Sequence, residues 1–137
     1  MRIRRTLATL ACSVLASTGL VVNTTPASAS SPCGSAYSLI DVYALKNSAG
    51  TRKGTLELYY SSSSRKNCVL TYGYGAWANT KNFKLAGIAR YGQTFISDRG
   101  DYVYYAGPVY LYAPGSCISV VGYVDDATGA WGPVHCG

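Results

Sequence analysis

The sequence contains one histidine, His135, set beside Cys136. Hydrolysis through a serine nucleophile needs a base of this kind, oriented by an acid. No Gly-x-Ser-x-Gly turn presents a serine to it, so His135 is expected to be structural or simply exposed. Paired carboxylates offer a second route to hydrolysis. The acids available are Asp41, Glu57, Asp98, Asp101, Asp125 and Asp126. Asp41 and Glu57 fall within candidate strands, where alternation puts both on solvated faces. The other four sit in turn-like contexts, where aspartate bonds its local backbone. No catalytic pair emerges, and a non-catalytic protein is expected.

Metal and cofactor chemistry finds no better footing. Cys33, Cys68, Cys117 and Cys136 are 35, 49 and 19 residues apart, with no cluster of histidines beside them. Asp125-Asp126 lacks the further ordered oxygen ligands that calcium needs. "YGYG" at 72–75 runs into more β-type sequence, whereas a phosphate-cradling loop runs into a helix. No metal and no cofactor are expected.

The elements that position these residues read as strands. Short runs of β-branched and aromatic residues recur about every ten residues, bounded by Gly, Pro, Asn or Ser. The runs are 37–45, 55–61, 68–75, 83–91, 102–106, 109–113, 117–124 and 130–136, with 94–97 as a possible ninth. No helical periodicity interrupts them. The expectation is an all-β domain, a small disulfide-stapled antiparallel sandwich or barrel of about seven to nine short strands. If "APGS" at 113–116 closes a tight hairpin, Leu111 faces Ile118 and Val109 faces Val120, with Tyr110 opposite Ser119 and Tyr112 opposite Cys117. Pro-Gly favours a type II turn, which suits a two-residue hairpin poorly and leaves a wider loop open.

Residues 1–29 read as an export signal. Arg2, Arg4 and Arg5 precede an uncharged stretch from Leu7 to Val22, and "ASAS" at 27–30 offers a cleavage site after Ala29. Residues 30–137 then form one domain, secreted and free of the membrane. Outside the cell, four cysteines imply two disulfides. In a meander, Cys33 and Cys68 lie at one end of the first three strands, and Cys117 and Cys136 flank a later strand pair. Cys33–Cys68 and Cys117–Cys136 are therefore the preferred pairs, each worth roughly 3–4 kcal/mol by loop entropy.

Two surfaces are candidates for binding. All thirteen tyrosines lie beyond the signal, against two phenylalanines in the whole sequence. Tyrosine suits a half-buried strand face, so structural use is the plainer explanation. Tyr102 and Tyr104 share one side of their run, as do Tyr110 and Tyr112, and this quartet is the best stacking platform for sugar rings. Loss of the signal lowers the net charge from +6 to +3, with the basic excess confined to residues 30–90. Lys46, Arg52, Lys53 and Lys81 cluster at one end of a meander and offer a site for an anionic wall polymer. Solubility and protection of sheet edges are the plainer uses of these charges. No nucleic-acid reader motif accompanies them, and no specific nucleic-acid binding is expected.

"CGSAYSLID" (33–41), "YAGPVYLYAPGSCI" (105–118) and "VHCG" (134–137) resemble the spore-associated protein A family, small exported proteins of Streptomyces and related actinobacteria. Where that family shows a Trp-Gly-Gly segment after the third cysteine, this chain continues "ISVVGYV", with the nearest tryptophan at Trp131. The resemblance implies secretion and association with spores or aerial hyphae, with spore coat or cell-wall polymer as partner, and supplies no catalytic residues. The reading is a secreted, non-catalytic structural or accessory protein of the spore or cell surface. Its alternative is a module binding wall polysaccharide or polyanion; a small hydrolase, or a protease inhibitor using "APGSC" (113–117), ranks below both.

Overall fold

The structure, a computed structural model, describes residues 19–21 and 30–137. Apart from 19–21, the export signal expected at 1–29 lies outside the described residues. Eight antiparallel strands follow one another: β1 Ser38–Lys46, β2 Arg52–Ser61, β3 Lys66–Gly73, β4 Asn82–Arg90, β5 Ile96–Tyr102, β6 Tyr105–Tyr112, β7 Ile118–Val124 and β8 Ala127–Val134. A single 3-10 turn, Gly75–Trp77, separates β3 from β4. No helix among the described residues is long and apolar enough to cross a membrane.

The sheet order is β5-β4-β7-β8-β1-β2-β3-β6, and the edge strands β5 and β6 lie against each other, so the sheet is a nearly closed barrel. It consists of two four-stranded halves. β1 and β8 are joined at one ladder position, Lys46 opposite Thr128, and splay apart beyond it. Leu45, Leu56, Leu58 and Val69 from one half meet Ile88, Ile118, Val120 and Val124 from the other in one core. Period-two alternation explains the burial in β2: Leu56 and Leu58 are fully enclosed, while Thr55, Glu57 and Tyr59 face outward.

Side chains close the seams that the ladders leave open. Across the β8–β1 gap Tyr43 stacks on Trp131 with ring centroids 4.5 Å apart. Across the β5–β6 gap Asp98 accepts the Gly107 N–H at 2.8 Å, and within β5 it also accepts the Tyr102 hydroxyl at 2.6 Å. Gly107 has φ +96°, and an added Cβ would lie 2.6 Å from the Val69 carbonyl oxygen, so only glycine brings β6 this close. Arg90 reaches over the same seam to the Tyr112 carbonyl at 3.1 Å.

Several expectations need correction. The hairpin centred on Pro114-Gly115 does not form: β6 pairs with β3, and β7 lies between β4 and β8. Leu111 therefore faces Asn67 rather than Ile118, Val109 faces Val69 rather than Val120, and Tyr110 faces Cys68 rather than Ser119. Gly115 at φ +64° and the Ser116 N–H on the Ala113 carbonyl (3.3 Å) make residues 113–116 a type II turn, whose twist carries the chain across the barrel mouth. Nor is 102–106 a strand. Residues 94–97 grow into β5 through Asp98-Arg99-Gly100-Asp101, because β4 supplies a ladder for that polar run at an edge. Tyr102 thus ends β5 and Tyr104 sits in the bend beyond it.

One end of the barrel is plugged. Lys84 shares the inner face of β4 with Ala86 and Ile88 and is fully buried. Its ammonium donates to the Thr80 carbonyl (3.0 Å), Asn82 Oδ1 (2.7 Å) and the Tyr102 carbonyl (2.6 Å), which uses all three of its protons. Burial pushes its pKa down. The loop before β4 is thereby tied over the barrel end, with Trp77 packed on the core. Thr71 Oγ1, enclosed beside Leu56 and Gly122, has no hydrogen-bond partner among the described residues. Two opposite shifts in chemical denaturation are expected. Lys84→Met strands three acceptors and lowers stability by about 2–3 kcal/mol. Thr71→Val removes an unpaired buried hydroxyl at constant volume and raises stability by about 1 kcal/mol.

Candidate functional site

The other end of the barrel is open. The start of β1, the end of β2, the start of β3, the 113–116 turn and residues 135–137 surround a cleft of about 350 Å³. Its lining includes Ile40, Tyr60, Asn67, Pro114, Gly115 and His135. Asn67 stands between Tyr60 and Leu111 in the sheet, on the inner face it shares with Val69 and Thr71. Both disulfides staple this end. Cys33–Cys68 anchors the segment before β1 next to Asn67, and Cys117–Cys136 ties the start of β7 to the segment after β8. Gly137 packs against Gly115, so an added Cβ at Gly137 would lie 3.3 Å from the Gly115 Cα, and this closes one wall of the cleft.

His135 sits at this mouth, and its Nε2 lies 3.2 Å from Asp41 Oδ2. The solvated face expected for Asp41 is wrong: stepping back by twos from the fully buried Leu45 through Tyr43 puts Asp41 on the inner side of β1, opposite Leu58. The Asp41 carboxylate also accepts the Tyr43 hydroxyl (2.7 Å) and the Val42 N–H (2.9 Å). Tyr43, ahead of His135 and Val42, holds the Asp41 pKa below its ordinary value. Burial and then Asp41 push the Tyr43 phenol up. An acid and an imidazole are thus brought together, yet among the described residues no serine or cysteine thiol hydrogen-bonds His135. The pair pins β1 to the end of β8.

The basic residues lie at the plugged end. Lys46 and Arg52 face each other across β1 and β2, and Lys81 precedes β4. Lys53 is not a free cation: Asp125 (2.8 Å) and Asp126 both bind its ammonium and raise its pKa. Its Nζ also lies 4.6 Å from the Trp77 ring centroid. Arg52 is held over the Tyr74 ring at 4.0 Å and donates to Thr55 Oγ1 at 2.7 Å. Lys46 and Lys81 are exposed.

The tyrosine quartet is divided. Tyr110 and Tyr112 share the outer face of β6 near the mouth, 39% and 50% exposed. Tyr104 is 64% exposed at the opposite end, and Tyr102 is spent on Asp98 in the seam. Tyr110 does structural work as well, donating to the Cys33 carbonyl at 2.9 Å and packing 5.4 Å from the Tyr37 ring. Together with Tyr59, Tyr72 and Tyr105, Tyr37 covers Cys33, Cys68 and Leu70 in a second small core on the outside of the barrel.

Among the described residues no three His, Cys, Asp or Glu side chains converge on a possible metal position. Asn67, the most enclosed polar residue of the cleft, falls between the runs 55–61 and 68–75 that the sequence marks as strands. Extending the alternation of Val69 and Thr71 back by two residues would have placed it inside.

No family model matches the chain, and no solved structure matches it either. Spore-associated protein A of Streptomyces coelicolor (strain ATCC BAA-471 / A3(2) / M145) is 31% identical over 105 residues. The match covers 72% of this chain and 60% of that relative's length. The chain belongs to a spore-associated protein A-like family. The segments that carry the family resemblance, 33–41, 105–118 and 134–137, come together in three dimensions. They supply Cys33, Cys117 and Cys136, three of the four cysteines of the mouth, with the 113–116 turn, Asp41 and His135.

The outer tyrosines make the fold sensitive to alkali. Burial, then the charge of Glu57, raises the Tyr72 pKa to about 12, and burial with a hydrogen bond to Glu57 raises Tyr59 as well. A phenol whose pKa is higher folded than unfolded contributes stability that is intact below pH 10 and lost as pH rises towards 12. Melting temperature is expected to fall steeply above pH 10. Absorbance at 295 nm should show one set of phenols titrating early and another that ionises near pH 10 only after denaturation.

Proposed function

We propose that the protein is exported and deposited on the outer surface of spores or hyphae, where it serves as a non-catalytic structural or accessory component. The relationship to spore-associated protein A carries this reading. Two disulfides at one end of the barrel support a location outside the reducing cytoplasm. The engagement of His135 with Asp41 as a brace between β1 and β8 favours a structural use of the lone imidazole. Retention by a polyanion has less support, because Lys53 is already neutralised by Asp125 and Asp126.

An epitope-tagged chain followed through sporulation of the native host tests the reading. The oxidised protein is expected in the extracellular and spore-surface fractions, and His135→Ala should leave that distribution unchanged. Retention in the cytoplasm, or free thiols at Cys33, Cys68, Cys117 and Cys136, would refute it.

A further inference from the structure

The mouth cleft has an asymmetry that packing alone does not account for. Asn67 is only 6% exposed, yet among the described residues its carboxamide makes no hydrogen bond. Thr71 Oγ1, two residues on, is unpaired because it is sealed in the core; Asn67 instead opens on the cleft. Unlike Thr71 Oγ1, the Asn67 amide atoms are not sealed away and so can meet a ligand, and Tyr60 and Leu111, its neighbours in the ladder, show that the barrel carries large side chains at this level.

The remainder of the lining narrows what would satisfy it. Ile40, Tyr60, Ala113 and Pro114 give apolar and aromatic walls, and His135 is the lone ionisable side chain of the lining apart from the Tyr60 phenol. Its Nε2 is already committed to Asp41, leaving Nδ1 as the ring nitrogen free to meet a ligand. A carboxamide offers one acceptor and a pair of donors, which matches the N–H and C=O of a secondary amide at two points. A volume near 350 Å³ is at the small end of ligand pockets, and barrel mouths are a common place for them. The disulfides and the Gly115–Gly137 contact hold the walls in place, which limits the entropy lost on binding.

We propose that this mouth binds a neutral N-acetylated amino sugar, with Asn67 pairing with the acetamido group and the Tyr60 ring and Pro114 packing on the pyranose. The proposal stands independently of deposition on spores, since its test reads binding and not location.

The test is NMR titration of the oxidised, folded chain with N-acetylglucosamine and its β-1,4-linked disaccharide. Glucose, glucosamine and N-acetylglycine methylamide serve as comparisons. The two acetamido sugars should shift the Asn67 side-chain amide together with the Gly115 and His135 backbone amides, and glucose and glucosamine should bind at least tenfold more weakly. Asn67→Asp, which keeps the shape but exchanges two donors for a charge, should weaken binding at least tenfold. Tyr60→Leu is the second variant, expected to lose affinity with the Asn67 amide still reporting on a folded barrel. The idea is overturned if the acetamido sugars leave the mouth signals unmoved, or if glucose or glucosamine binds equally well. Shifts confined to Tyr110 and Tyr112, or equal binding of the simple diamide, overturn it too; the last would make the site one for peptide amides.

Discussion

A sheet of eight strands that does not fully close must find another way to shut its seams, and here side chains do so. Backbone ladders, bulged in places, run along the strands of each four-stranded half, but one ladder position alone joins β8 to β1. Tyr43 against Trp131 and Asp41 against His135 bridge the rest of that gap. On the opposite side Asp98 and Arg90 reach across to backbone groups of β6. The Asp98 and Arg90 bonds satisfy backbone groups of β6 that an open edge would leave to water or to a second chain. Four of the chain's few ionisable side chains are therefore used as fasteners.

Closure by side chains also explains the two unlike ends. At one, Lys84 donates to three acceptors within the barrel, while Lys53 is gripped by Asp125 and Asp126 over Trp77. These charges are consumed in packing and leave little for a partner. At the other, the type II turn at 113–116 holds β6 and β7 apart, so no hairpin covers the opening. What remains is a cleft stapled by both disulfides. Cavity and covalent reinforcement coincide because the turn that opens the mouth leaves it without a ladder of its own.

The abundance of tyrosine follows from the same economy. A barrel this small fills its interior with Leu, Val, Ile and Ala, leaving the outer face of β2, β3 and β6 to cover a disulfide. Tyrosine does this with its ring while its hydroxyl bonds Glu57, Ser64 or the Cys33 carbonyl. Most of the rings near the mouth thus belong to a second core, and the Tyr110–Tyr112 pair is what is left of a stacking surface.

By itself the sequence determined the all-β class and the inner face of β2, because both follow from local periodicity and turn chemistry. Cysteine pairing was legible for a related reason: the two flanking segments of a meander or a hairpin return to the same end whatever lies beyond. Strand partnership was a tertiary decision. Pro114-Gly115 reads equally as a hairpin or a crossing turn, and only the ladder offered by β3 settles where β6 goes. The polar run 98–101 becomes a strand for the same reason, that β4 pays its backbone hydrogen bonds. The inner face of Asp41 was open to the same period-two count, but the enclosure of Lys84 and the opening of the Asn67 carboxamide on a cleft depend on a folded-over loop and a neighbouring strand's exit. These are relations between segments far apart in the chain, and no window of sequence contains them.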